Sequence, residues 1–377
     1  MRYFCIISIA LLFISCANTN YPFDVKNISI SDKNTGEIVD TMFFDCIKEI
    51  RMETNTDCII SDIQKILQCD TLLYIKDIRQ NKLFIFSQNG RHVNTIKDIG
   101  RGHGEYISLI DVAVDNNENE ILLLVEPHGI MHYTLYGDFK YKEPLDCPYT
   151  DICCDSNYYY LRKETYANNK KADYSVTIIN KRSKDKKNAL ELKEEYAPFC
   201  SIGPRIYDNG DRLYFSRFFD NMIYELRDGD VKPKFSIDFN KYEFPSEKKR
   251  SGCSDIFDFA NKNKYMYTVS KLKTGKRFMI LSSNLFDTSI IDMETDICIH
   301  SLKRPMANDL KLHWTFYPIN GTDGDVCAVI NTSAFTSLKT IIDQNPSEQS
   351  KFSEKAIKYA NEFKTGDNPL IRIYRLR

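Results

Sequence analysis

One period governs what this chain can fold into. TLLYIKD (71–77), KLFIFSQ (82–88) and RHVNTIKDI (91–99) are short runs with apolar residues at alternate positions, joined by polar turns, with Asn-Gly at 89–90. Alternation of period two marks strands, and Asn-Gly between them marks a hairpin. After GRGHGEY (100–106) the same grammar restarts in SLIDVAVD (108–115), EILLLVE (120–126), IMHYTLYG (130–137) and FKYKEPL (139–145). It restarts again in TDICCD (150–155), YYYLRKE (158–164), YSVTIIN (174–180) and NALELKEE (188–195), and then in GPRIYDNG (203–210), RLYFSRF (212–218), MIYELRD (222–228) and KFSIDFN (234–240). Each set takes roughly 40–50 residues and holds four strands, the size of a propeller blade. A β-sandwich also has many short strands, but its strands do not restart at near-equal intervals. The 23 tyrosines and 23 phenylalanines, against 15 glycines, suit a sheet protein.

The fifth unit is delayed by KYEFPSEKKRSGCSDIFDFANKNK (241–264), read as an excursion on one face with a helical turn. It then runs through YMYTVSKL (265–272), KRFMILSS (276–283), DTSIIDME (287–294) and DICIHSLK (296–303). The sixth has only LHWTFYP (312–318), DVCAVIN (325–331) and LIRIYRL (370–376), and is one strand short. DCIKEIRMET (45–54), ahead of the first full unit, is placed to supply the missing strand and close the ring without an open sheet edge. Between the last two strands, Phe352, Ala356, Ile357, Ala360 and Phe363 share one face at helical spacing, so 346–363 is expected to be one amphipathic helix, stopped near Gly366. The fold class is therefore all-β: a six-bladed β-propeller of four-stranded antiparallel blades, closed by an N-terminal strand, with one C-terminal helical insertion.

Arg2 followed by FCIISIALLFIS (4–15) has the form of an export signal, too short for a permanent span. It ends in LFISC, which resembles the lipobox of bacterial lipoproteins, where the cysteine is lipidated and becomes the mature N-terminus. This divides the chain into a signal peptide (1–15), a tether beginning at Cys16 (16–24) and the propeller (25–377). Ala17 stands after the cysteine where Asp would signal inner-membrane retention in such lipoproteins. The expected address is thus the cell envelope, as an outer-membrane lipoprotein, with the periplasmic or surface side left open. Lys+Arg number 51 and Asp+Glu 52, so no charge imbalance calls for nucleic acid or an anionic surface. Of twelve cysteines, Cys5 leaves with the signal and Cys16 takes the lipid; the rest contain no CxxC. Cys58 with Cys69, and Cys46 with Cys327, stand as candidate pairs, but most are read as small buried hydrophobes.

The lipobox, the LLYIKD…KLFIF…NG unit, the GRGHGEY joint and the closing DNPLIRIYRLR (367–377) together resemble the six-bladed propeller lipoproteins related to NHL and TolB-like propellers. In that family a Gly-x-Gly-x-Gly-Glu-Tyr joint follows the first full blade, and an Asn-Pro-apolar strand ends the chain. His103 stands where proline is common. The resemblance spans nearly the whole mature chain and implies fold and address, with no general enzymatic activity.

GRGHGEY is not a nucleotide loop: Glu105 occupies the place of a required glycine, and a strand rather than a helix follows. Its glycines suit the turn from an outer strand into the next inner one. Arg101, His103, Glu105 and Tyr106, with Arg205 from the corresponding SIGPRIY (201–207), are the candidate ligand-binding residues, expected around one opening at the channel mouth. His128 and His132 lie ~13 Å apart along a strand, too far for one ion. DNNENE (115–120) and NGTDGD (320–325) lack calcium-loop spacing and read as polar turns. Neither HExxH nor GxSxG occurs, so no catalytic residue, metal ligand or cofactor is assigned. Two functions follow. The first is a membrane-tethered, non-catalytic propeller that binds a small molecule, a glycan or a peptide or protein. The second is a carbohydrate-active hydrolase or lyase with its site in the central channel.

Overall fold

The computed structural model describes residues 25–30, 35–163, 166–167, 170–171, 173–192, 205–249, 251–322 and 324–377. The signal peptide and the tether, Cys16 included, lie outside these residues. Six antiparallel sheets form the blades. Blade 1 comprises Ile63–Cys69, Leu72–Asp77, Lys82–Ser87 and His92–Ile96. Blade 2 comprises Ser108–Asp115, Glu120–Glu126, Gly129–Thr134 and Phe139–Pro144. Blade 3 uses Asp151–Cys154, Tyr158–Arg162, Tyr174–Asn180 and Lys186–Glu191; blade 4 uses Ile206–Asp208, Leu213–Ser216, Met222–Arg227 and Asp230–Asp238. Blade 5 runs through Val269–Thr274, Phe278–Ser283, Thr288–Asp292 and Cys298–Ser301.

Blade 6 closes the ring as expected. Thr315–Asn320, Asp325–Ile330 and Leu370–Leu376 are followed outward by Phe44–Arg51, which pairs antiparallel with Leu370–Leu376 from Phe44 opposite Leu376 to Arg51 opposite Leu370. The inner strands of blades 6 and 1 also pair directly, Ile319 with Ile66. Blades pack face to face, so middle strands are buried on both sides; all six residues of Leu72–Asp77 are buried. The apolar cores are correspondingly the seams between blades. Tyr74, Ile85, Val112 and Leu123 fill the seam between blades 1 and 2, and Tyr160, Ile178, Phe215 and Leu226 the seam between blades 3 and 4.

Three features depart from the sequence expectations. Lys26–Ser29 adds a fifth strand, parallel to Asp230–Asp238, at the outer edge of blade 4. The C-terminal insertion is two helices, Thr332–Gln344 and Glu354–Glu362, joined through the 3-10 turn Pro346–Lys351. Ser353 caps the second by accepting from the Ala356 amide at 3.1 Å, which is why that helix begins well after residue 346. Phe335, Leu338, Ala356, Tyr359 and Phe363 carry the pair onto Phe43, Phe44, Trp314 and Tyr374. The excursion after blade 4 holds more than a turn: Cys253–Asn263 is a helix of 11 residues. Neither Cys58 and Cys69 nor Cys46 and Cys327 are bonded to each other.

Candidate functional site

The GRGHGEY joint is held by its own side chains. The Gly100 amide donates to the Tyr106 carbonyl (2.9 Å) and the Tyr106 amide to the Asp98 carbonyl (3.0 Å). Glu105 folds back so that Oε2 accepts from the Gly102 amide at 2.7 Å, and a Cβ at Gly100 would lie 2.0 Å from that same oxygen. Gly100 therefore makes room for a carboxylate, not for a ligand. Tyr106 is fully buried, its hydroxyl within 3.0 Å of the Asn81 carbonyl and 3.2 Å of the Ile96 carbonyl. Asn81 ties the same joint from blade 1, donating to the Ile107 carbonyl (3.0 Å) and accepting from the Leu109 amide (2.5 Å).

Arg101 and His103 are exposed, and His103 meets Phe139 edge-on at 5.4 Å. With Pro127 and Phe139 through Lys142 they line a groove of ≈ 660 Å³. Phe139–Pro144 is the outermost strand of blade 2, so this groove lies on the rim. Arg101 and His103 are thus brought to a rim groove, where the expectation set them at the channel mouth.

Arg205 stands elsewhere. It precedes the inner strand of blade 4, is 1% exposed, and shares no lining with the Arg101 groove. Its amide donates to Asp151 Oδ1 at 2.8 Å. Its Nη1 donates to Thr268 Oγ1 (3.0 Å) and the Val269 carbonyl (2.5 Å), both at the start of blade 5. The guanidinium lies 4.3 Å over the Phe218 ring. Asp151 Oδ2 is occupied by Arg162 Nε, from the second strand of blade 3. Burial pushes the Asp151 carboxyl up, but the Arg162 charge and hydrogen bond outweigh it and hold the group below the usual carboxylate range. Burial pushes Arg205 down, offset in part by Tyr207.

These residues wall a recess between blades 3 and 4, lined by Arg162, Ser175, Arg205, Phe215 and Phe218 among others. Three buried polar atoms there have no partner among the described residues: Arg205 Nε, Arg205 Nη2 and Ser175 Oγ. Sequence reading found Arg205 but missed its neighbours. Arg162, a charge at the end of the apolar run YYYL, was the available signal; nothing marked Ser175.

The inner strands carry charged side chains tied to their neighbours. Lys65 Nζ lies 3.0 Å from Asp111 Oδ1 and donates to the Val112 carbonyl (2.7 Å), while Asp111 Oδ2 accepts from the Ile152 amide of the next blade (2.9 Å). Lys271 lies 3.9 Å from the Tyr317 ring centre, and burial, reinforced by the charge of Arg304, pushes its pKa down to about 7. One pocket beside Lys65 and Lys271, lined also by Tyr207 and Tyr317, offers ≈ 30 Å³, room for about one water. A serine–histidine–aspartate cluster does occur in blade 5. There His300 Nδ1 faces both Ser289 Oγ (3.0 Å) and Asp287 Oδ2 (3.4 Å), and His300 and Asp287 are fully buried. A proton relay needs the two partners on opposite ring nitrogens, so this is a structural cluster. His132 packs against Tyr141 at 4.0 Å and bonds Glu120 at 2.7 Å. Among the described residues no group of three or more His, Cys, Asp or Glu side chains is arranged to hold a metal ion. The 115–120 segment is a polar turn, with Asp115 Oδ1 accepting from the Asn117 and Glu118 amides at 3.1 and 3.3 Å.

Residues 25–375 match the family "Domain of unknown function (DUF4934)", and the chain belongs to it. Among solved structures it is similar to a Bacteroides fragilis protein named as exported, with a TM-score of 0.72 and 20% identity over 93% of this chain and 100% of that one. It is also similar to a DUF4221-family protein from Bacteroides vulgatus, with a TM-score of 0.53 and 8% identity over 89% of this chain and 98% of that one. No curated protein matches the chain. At these identities the likeness establishes the fold alone.

Proposed function

We propose that the chain is a propeller tethered in the cell envelope by a lipid on Cys16, which binds a ligand in the recess between blades 3 and 4 and performs no chemistry on it. One observation carries the binding role: Arg205 and Ser175, which line the recess, keep buried hydrogen-bonding atoms with no partner among the described residues. A buried unmade hydrogen bond costs about 1–3 kcal/mol, so atoms of this kind are completed by water or by a ligand. The envelope address is supported by the LFISC motif and by the exported relative from Bacteroides fragilis. Arg101, His103, Glu105 and Tyr106 are reassigned under this reading: the last two hold the joint, and the first two border the rim groove. Thermal melting of the full chain against a panel of neutral sugars, inorganic phosphate, short peptides and organic acids tests the binding role. A member of the panel should raise the melting temperature in the wild type and not in Arg205→Lys. A panel without effect on either would refute the recess as a binding site.

A further inference from the structure

We infer that the recess reads a free carboxylate, taken side-on by Arg205; this rests on the binding role proposed for the recess. The two unpartnered guanidinium atoms are Nε and Nη2, and Nη1 is committed to Thr268 and Val269. In a planar guanidinium, Nε–H and the neighbouring Nη2–H point in parallel along one edge. That edge is the fork which matches the two oxygens of a carboxylate, and it is the edge left unused.

Three further observations fit the same group. Asp151, the nearest carboxylate, spends Oδ2 on Arg162 and reaches Arg205 only through the backbone amide, so no described carboxylate meets the Arg205 guanidinium. Ser175 Oγ is a further buried group on the recess wall with no partner among the described residues. The recess offers ≈ 30 Å³, which admits a functional group and not a whole molecule. The ligand is therefore held by its acidic end, with the body outside against the apolar lining of Leu192 and Phe218. The Phe218 ring stacked on the guanidinium fixes the plane of the fork before the ligand arrives.

The test uses the full chain in detergent, titrated calorimetrically with benzoate, glucuronate and acetyl-dialanine, each beside its amide, and with inorganic phosphate. At least one carboxylate should bind at least about tenfold tighter than its amide, as a lost fork of two charge-assisted bonds requires. The Arg205 Nε–H resonance should shift on its addition. Glucuronate against acetyl-dialanine separates a sugar acid from a peptide terminus as the source. Arg205→Lys keeps the charge and removes the fork, and should weaken binding by about tenfold or more; Ser175→Ala should weaken it a few-fold. Should Arg205→Lys not fold, the wild-type Nε–H shift and Ser175→Ala carry the result. Equal binding of acid and amide, or of phosphate in their place, with the Nε–H shift retained, would overturn the carboxylate and leave the recess as a binding site. No shift with any compound would overturn both.

Discussion

At the scale of single residues, the joint shows glycine and glutamate acting as a unit. Gly100 is glycine because the Glu105 carboxylate occupies the space a Cβ would need. Gly100→Ala should therefore displace Glu105 from the Gly102 amide, and because that bond is exposed and the carboxylate can swing into water it should cost about 0.5–1.5 kcal/mol in urea denaturation. Arg101→Ala, on the exposed rim, should stay within about 0.5 kcal/mol of wild type in the same experiment. Lys271 makes a prediction with pH. Its folded pKa, about 7, lies below the unfolded value of 10.5, so between them the unfolded chain binds more protons than the folded one. Stability should rise as pH increases from about 7 to 8.5, and Lys271→Met should flatten that rise. A wild-type profile already flat over this window would show that Lys271 titrates normally.

At the scale of elements, the closing strand matters most. Phe44–Arg51 has ladder bonds on one side only, and the helical insertion reinforces it through side chains. Arg372, 2% exposed, donates from Nε to Glu49 (2.7 Å) on that strand and from Nη1 to Asp309 (2.6 Å), while Tyr359 of the second inserted helix donates to Glu49. Deleting residues 43–54 would expose the edge of blade 6 and remove this network, and should abolish a single cooperative melt. Arg372→Met, a smaller insult, should cost roughly 2–3 kcal/mol. Burial pushes both Glu49 and Asp309 up, but hydrogen bonds from Tyr359, Lys355 and Arg372 outweigh it and leave them below their ordinary values of 4.5 and 3.8. Depressed carboxylates contribute stability above their unfolded pKa and lose it as pH falls through the folded one. Acid unfolding below about pH 4 should accordingly be shallower in Arg372→Met than in wild type.

At the scale of the whole molecule, each blade buries its faces only against its neighbours, so the ring is stable only when closed. Its two sides differ in charge. The recess between blades 3 and 4, beside the start of the inner strand of blade 4, gathers Arg162, Arg205 and Arg217. A second recess among blades 2 to 4, where inner strands end, is lined by Asp115, Asp155, Asp208 and Asp211. Several of these charges are already paired, Arg162 with Asp151, Arg217 with Asp220 and Asp115 with Lys181. For the anchor, mass spectrometry of the mature chain should find an acylated Cys16 at its N-terminus, and Cys16→Ala should leave the membrane fraction. An unmodified N-terminus beyond Cys16 would overturn the tether.

Blade number, strand order and ring closure were legible in the amino-acid sequence because they rest on local alternation and turn residues, which act between near neighbours. The closing strand was recognisable for the same reason: the sixth unit lacked one run, and DCIKEIRMET had the missing pattern. The helix Thr332–Gln344 was not, since its β-branched residues weaken a helical signal and its apolar face exists only against blade 6. Lys26–Ser29 was not, because a lone edge strand is defined by the partner it finds. The candidate site divided in the same way. Arg205 was visible as an arginine at a joint, yet its burial and its free edge depend on Thr268, Val269 and Phe218, which lie in two blades and meet only when the ring forms. Pattern along the chain determines which strands exist; distance across the seams decides which side chains are satisfied and which are left for a ligand.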